Sequence, residues 1–321
     1  MAEIGKDIIR AKQLLENGDL VAIPTETVYG LAGNALDPTA LVKIFTVKNR
    51  PHFDPLIVHV SNLDQANNLV ESIPEKAKKL AALFWPGPLT LLLKKKPIIP
   101  DLVTAGMDTV GIRCPDHSLT QSLLQSLSFP LAAPSANPFG YVSPTQPSHV
   151  NDQLGNRIDY ILDGGACKVG IESTIVGFEN EEAIVFRLGG LSIEALEQEI
   201  GKVTIQLNSS SNPKAPGQLK SHYAPQKKVM VGNLQELIKQ YPSQKIGILS
   251  FSQKIQTIKP DHQIVLSESG NTEEAAQRLF SALRELDKKD VEIILAEWVP
   301  ETGLGKAIND RLHRAAAQQN K

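Results

Sequence analysis

At 321 residues, with 41% hydrophobic and 21% charged positions, the chain has the composition of a globular protein long enough for two domains with full cores. Its 33 Lys+Arg against 35 Asp+Glu leave a net charge of -2, which excludes coating of nucleic acid by bulk charge but allows a local basic cleft. Two cysteines, Cys114 and Cys167, lack metal-ligand spacing, and no apolar run is long enough to span a membrane; zinc modules, a disulfide framework and a membrane partner therefore drop out, and the cytoplasm is the expected location.

Residues 5–17 carry apolar positions at helical spacing and predict an amphipathic helix ended by Gly18. The apolar run Leu20 to Ile23 predicts a strand closed by Pro24, followed by a loop with Thr25, Glu26, Thr27, Tyr29, Gly30 and Gly33. Asp37-Pro38 opens a helix with a side-chain cap and a proline in the first turn, and Lys48-Asn49-Arg50-Pro51 ends it. A strand from Pro55 to Val60 brings in His59. Ser61 is expected to cap a helix to Val70, and Pro74 to start another to Phe84. Leu89 to Leu93 and Thr109 to Cys114 predict strands, the second delivering Arg113 at its end; Lys94, Lys95 and Lys96 form a solvated strand end. A helix is expected over Ser118 to Leu127, then a short strand from Pro130 to Ala133 running into Pro134-Ser135-Ala136-Asn137-Pro138. Residues 139–149 are turn-forming.

Strands at Asp159 to Leu162, Ser173 to Phe178 and Ala183 to Leu188 precede a helix, Ile193 to Ile200, and a strand, Val203 to Leu207. Several of these strands follow one another without room for a crossover helix, so the first sheet is expected to be mixed. Asn208-Ser209-Ser210-Ser211-Asn212-Pro213 has linker composition. Beyond it, strands at Val229 to Val231, Lys245 to Phe251, Gln263 to Leu266 and Val291 to Glu297 alternate with helices near Leu234 to Lys239, Thr272 to Leu286 and Lys306 to Gln318. That alternation predicts a small, mostly parallel α/β domain.

No phosphate-binding glycine loop is present, and Gly303-Leu304-Gly305-Lys306 is only a helix start. A nucleotide site would have to use scattered side chains. Lys48 and Arg50 leave a helix end, Arg113 and Arg187 stand at strand ends, and Ser135 and Asn137 follow a short strand. Arginine can hold a phosphate or carboxylate through two points, whereas lysine acts as a compact charge. Each element also has an ordinary reading. Threonine-rich loops are turns, cations in a last helical turn complement the dipole, a lone histidine on an apolar strand is a core residue, and strand-end arginines make surface salt bridges.

Together, PTETVYGL at 24–31, KNRP at 48–51 and PLIVH at 55–59 resemble the signature of the threonylcarbamoyl-AMP synthase (YrdC-type) family. The segments VGIRCPDH at 110–117, APSAN at 133–137, VSPT at 142–145, ESTIV at 172–176 and FRLG at 186–189 extend the resemblance, and APGQLKSHYAP at 215–225 is similar to the linker of its two-domain members. The resemblance implies an α/β fold in three parts. Residues 1–207 would be a YrdC-like twisted mixed sheet with flanking helices and a basic cleft, 208–226 an interdomain linker able to act as a lid, and 227–321 a smaller Rossmann-like parallel domain.

It also implies site roles. A catalytic Lys-Arg-Ser-Asn tetrad matches Lys48, Arg50, Ser135 and Asn137. Threonine-binding positions match Thr27, His59, Arg113, Ala133 and Ser173, and ATP contacts match Lys48, Arg50, Asp54, Thr109, Ser135, Ser143, Arg187 and Tyr223. Asp54 stands where the family often has Asn. The implied nucleotidyltransferase reaction joins L-threonine, bicarbonate and ATP into threonylcarbamoyl-AMP and pyrophosphate. Mg2+ is expected with the ATP and no protein metal ligand is assigned. Separate proteins would transfer the product to tRNA, and weak RNA contact is retained as a secondary partner. A non-catalytic RNA-binding module of the same fold is the alternative. The hydrogenase-maturation carbamoyltransferase, which contains a related domain, needs cysteine-rich zinc segments that this chain lacks.

Overall fold

A computed structural model describes residues 1–207 and 222–317. The linker and lid expected at 208–226 thus lie largely outside the described residues, which resume at His222. Among the described residues, eleven strands join in one mixed sheet in the order Glu3–Gly5, Tyr160–Leu162, Val21–Ile23, Gly30–Asn34, Leu131–Ala132, Ile57–His59, Thr109–Arg113, Leu89–Lys94, Thr174–Glu179, Glu182–Arg187 and Thr204–Ile205. A second sheet, Lys228–Val231, Ile293–Ala296, Ile246–Ser250 and Gln263–Val265, is parallel throughout. Buried apolar residues from both regions, including Val142, Val150, Tyr223, Val229 and Phe280, belong to one continuous cluster.

The expected elements are mostly present, with differences that have local causes. A strand, Glu3–Gly5, precedes the first helix, which begins at Ile8 because the Asp7 carboxylate accepts the amides of Ile9 and Arg10. The stretch Gly30–Asn34, expected to be loop, is a strand paired on both sides. Its glycines permit close packing, since a Cβ at Gly33 would stand 2.9 Å from the Leu20 side chain. Asn62, not Ser61, caps the helix Leu63–Asn67, which stops short of Val70. The turn-forming stretch ends in a helix, Pro147–Leu154: its proline occupies the first turn, where a missing N–H is harmless.

Register is what builds the functional rim. The parallel pairing of Ile57–His59 with Thr109–Arg113 sets His59 directly beside Arg113. On the far side Arg113 pairs with Thr90, and Leu89 pairs with Thr174, so Ser173 reaches the same rim. Gly30 bridges Ser135. A register shift between Val185 and Arg187 bulges the strand Glu182–Arg187, a device that re-aims side chains at strand ends. Gly189 lets the following turn pass closely, because a Cβ there would lie 2.3 Å from the Glu172 carbonyl oxygen.

Candidate active site

A cleft with about 560 Å³ of empty volume, open solvent included, lies at this rim. Its walls include Thr25, Arg50, His59, Arg113, Ser135, Glu172, Arg187, His222 and Tyr223. One end is built from the loop after Val21–Ile23. There Thr25 Oγ1 donates to Val28 O at 2.7 Å and receives the amides of Thr27 and Val28, a hydroxyl-closed turn. Thr27 Oγ1 lies 2.8 Å from Thr25 Oγ1. Since the Thr25 proton goes to Val28, Thr27 is the donor in that pair and keeps acceptor lone pairs.

Arg113 Nη2 donates to Glu26 Oε1 at 2.7 Å, and Glu26 Oε2 accepts from the Asp116 amide at 3.0 Å. Arg113 Nε is buried without a hydrogen-bond partner among the described residues. His59 Nδ1 is 3.3 Å from Ile57 O; with Nδ1 as donor, Nε2 is left as an acceptor. Burial, reinforced by the neighbouring Arg113 charge, pushes the His59 pKa down to about 3, so the ring is neutral near pH 7.

The opposite end collects cations. Asn49 takes the left-handed conformation (φ 52°) that closes the helix Pro38–Lys48, and the residues on either side of it turn inward. Lys48 Nζ donates to Ser135 O and Asn137 O, both at 2.5 Å. Arg50 donates to Asp54 O at 3.1 Å and Pro55 O at 2.7 Å, and Nη2 stands 2.9 Å from Asp54 Oδ2 in ion-pair geometry. Among the described residues, neither Asp54 carboxylate oxygen takes a hydrogen bond. Burial raises the Asp54 pKa, opposed by the charges of Arg50, Lys48 and Arg187. Burial lowers the Lys48 pKa, with Arg50 adding to the effect. Arg187 donates to Ser173 O and Ser173 Oγ, both at 3.0 Å, and Ser173 Oγ is also 2.7 Å from Thr90 Oγ1.

The residues singled out from sequence therefore fall into layers. Arg50, His59, Arg113, Ala133, Ser135, Arg187 and Tyr223 line the cavity. Thr27, Lys48, Asp54, Asn137, Ser143 and Ser173 are buried behind these walls. Asn137 uses its amide nitrogen on Pro138 O and Tyr141 O and leaves Oδ1 without a partner among the described residues. Thr109 begins the strand that Arg113 ends, four residues away or about 13 Å, so it can meet only a ligand lying along that strand. Lys95 and Lys96 bind Asp101 and the Asn67 carbonyl.

Three wall residues, Thr25, Glu172 and His222, and Glu26 behind Arg113 were given no ligand-binding role from sequence. All four lie inside the resembling segments, so the signal was present, but their chemistry was not separable from that of their neighbours. Glu172 takes Ser143 Oγ at 2.5 Å on one oxygen and Arg311 Nε at 3.0 Å on the other. His222 stands edge-on to Phe139 and Tyr223.

A family model described as telomere recombination matches residues 13–189, and one described as threonylcarbamoyl-AMP synthase, C-terminal domain, matches residues 191–317. The threonylcarbamoyl-AMP synthase of Pyrococcus abyssi is 40% identical over 95% of this chain and 93% of its own length. That of Bacillus subtilis is 39% identical over 96% and 92%. A crystal structure of P. abyssi Sua5 complexed with L-threonine matches with a TM-score of 0.91 and 38% identity, covering 98% of this chain and 97% of that one. No described helix is long and apolar enough to cross a membrane.

Proposed function

The chain belongs to the threonylcarbamoyl-AMP synthase family, and from that premise we propose that its cavity performs a nucleotidyl transfer. L-threonine, bicarbonate and ATP are joined there into threonylcarbamoyl-AMP, with release of pyrophosphate. The observation that carries the reading is the pairing of His59 with Arg113 on adjacent strands, in a cavity that also presents Arg50 and Arg187. A cation beside a neutral imidazole acceptor and a hydroxyl-rich turn suits an amino acid, and paired guanidinium groups suit a polyphosphate.

Arg113 takes the threonine carboxylate with donors that Glu26 leaves free. Glu26 offsets part of the charge and holds the guanidinium in place. His59 Nε2 accepts from the amine or the hydroxyl, and Thr27 braces the Thr25 turn behind it. The neutral amine attacks bicarbonate, whose C–OH bond breaks so that the hydroxyl leaves with the amine proton as water, or attacks CO2 and gives its proton to solvent. The carbamate oxygen then attacks the α-phosphorus, the P–O bond to pyrophosphate breaks and pyrophosphate leaves. Charge growing on the phosphoryl and leaving oxygens meets Arg50 and Arg187 in a low-dielectric cleft, where fixed donors act most strongly. With a histidine this hard to protonate, holding the amine close to bicarbonate does more than proton transfer through His59.

Lys48 shapes the turn bearing Ser135 and Asn137 through two of its three ammonium hydrogens and acts on the phosphates through that turn. Asp54 stands behind Arg50 and balances the cation cluster before ATP arrives. It does not face the cavity, so an acid at this position is compatible with a triphosphate in front of it. ATP would bring Mg2+ with it, and the ion would neutralise charge on the phosphates that are its usual ligands in nucleotide sites. The product passes to separate proteins that threonylcarbamoylate tRNA in the cytoplasm.

The test is pyrophosphate release with all three substrates and with each omitted in turn. Release is expected only with the complete set, and Lys48→Ala and Arg50→Ala should each lower turnover at least tenfold. Substantial activity in both variants would sink the assignment of the phosphate end.

A further inference from the structure

We propose that Arg311, on the helix Gly305–Ala316 of the second domain, is a positioning residue for the nucleotide half of the cavity, acting through Glu172. The proposal rests on the reading that ATP occupies that half. Arg311 is completely buried, and each nitrogen of its guanidinium has a job. Nε donates to Glu172 Oε2 at 3.0 Å, Nη2 to Leu188 O at 2.8 Å, and Nη1 to Asp310 Oδ2 at 2.8 Å. The guanidinium carbon lies 5.0 Å from the centre of the Tyr223 ring. One side chain from the second domain thus holds a cavity-wall carboxylate, the backbone next to Arg187 and the face of Tyr223.

Glu172 is the point of leverage. It faces the cavity, and a buried carboxylate there would repel a triphosphate and pay no part in binding it. Arg311 offsets that charge and fixes the carboxylate so that its second oxygen takes Ser143 Oγ at 2.5 Å. Asp310, which also accepts from Arg314, completes a cluster of two carboxylates and two guanidiniums with no net charge. The second domain grips the same wall again. Arg284 donates to Ser143 O at 3.2 Å and to Val142 O, and Phe280 stacks on Tyr223 at 5.5 Å between ring centres. Stability alone is a weak reason for such a pair, because apolar residues of similar volume often replace buried ion pairs with little loss. Control of charge and position beside a polyanion is a reason that an apolar residue cannot meet.

The experiment compares steady-state kinetics of the full chain with Arg311→Met, Arg311→Lys, Glu172→Gln and the double variant Arg311→Met/Glu172→Gln. Arg311→Met should raise KM for ATP at least tenfold while KM for threonine stays within twofold. Arg311→Lys should fall between it and the wild type. Adding Glu172→Gln to Arg311→Met should recover ATP affinity at least threefold, because the uncompensated carboxylate is gone. An unchanged ATP KM in Arg311→Met, equal shifts in both KM values, or no recovery in the double variant would each overturn the proposal. If Arg311→Met does not fold, Arg311→Lys decides: an ATP KM equal to that of the wild type overturns it. A wild-type chain that releases no threonine-dependent pyrophosphate would instead overturn the reading of the cavity, and this proposal with it.

Discussion

The two sides proposed for the cavity, one for threonine and one for the nucleotide, are held in different ways. At the threonine end, the buried polar groups find partners inside the first domain: Thr25 with Thr27, Arg113 with Glu26, His59 with the Ile57 carbonyl. At the nucleotide end, three of the supports come from the second domain: Glu172 is held by Arg311, the Val142 and Ser143 carbonyls by Arg284, and Tyr223 by Phe280. Burying a polar group is costly until it is paired, so whichever segment supplies the pair becomes part of the site. The second domain, which carries no active-site motif of its own, belongs to the catalytic cleft in this sense. Perturbing one end should therefore leave the other largely intact.

Arg113→Ala gives the strongest test of that separation. It should cost more than 100-fold in kcat/KM for threonine with the ATP KM changed less than threefold, read by pyrophosphate release. Leaving Glu26 buried without its cation should also cost about 3–5 kcal/mol of stability. Equal losses toward both substrates would break the comparison.

Lys48→Ala strikes the cation-rich side where it holds the Ser135–Asn137 turn. Two carbonyls, the half-buried Ser135 O and the buried Asn137 O, lose a charged donor, for an expected loss of about 2–4 kcal/mol in urea unfolding. Both KM values should rise, because Ser135 and the strand Gly30–Asn34 are bridged. An effect confined to ATP would assign Lys48 to phosphate contact alone.

Phe280→Leu probes the second domain at a distance from any charge. Losing the ring stack on Tyr223 is worth about 0.5–1.5 kcal/mol, which should appear as a threefold to tenfold rise in ATP KM with no change for threonine.

The smallest expected effect is on stability against pH. Burial depresses the pKa of both His59 and His149 to about 3 in the folded chain, from about 6.5 when unfolded. The unfolded chain then binds more protons between those values, so stability is full above pH 6.5 and falls as pH drops toward 3. Urea midpoints at pH 7.5 and 5.5 should differ, with about 1 kcal/mol of the loss assignable to His59 and removed in His59→Gln. A pH-independent midpoint would mean that these rings are protonated in the folded state.

Much of the fold was legible because its signals are local. Asp37-Pro38 starts a helix whatever surrounds it, and Asn49 ends it in a left-handed turn that few other residues accept. The strand Gly30–Asn34 was not legible, since two glycines in five residues carry little strand preference of their own; neighbours on both sides impose it. The helix Pro147–Leu154 was hidden by a proline that breaks a helix in its middle but opens one at its first turn.

By itself, the sequence determined which chemical groups are available and the segments that carry them: cations after one helix, a histidine and an arginine at strand ends, hydroxyls in a tight loop, and a parallel α/β domain behind a linker. Tertiary structure alone decided which of these groups face a ligand and which hold the wall in place. Lys48 and Arg50 are two residues apart, yet Arg50 lines the cavity while Lys48 braces the chain behind it. Glu172 and Arg311 are 139 residues apart and share one hydrogen bond. A buried charge must find a partner, and the partner is chosen by whichever distant backbone or side chain the packing brings within 3 Å, a choice that no local pattern of residues encodes.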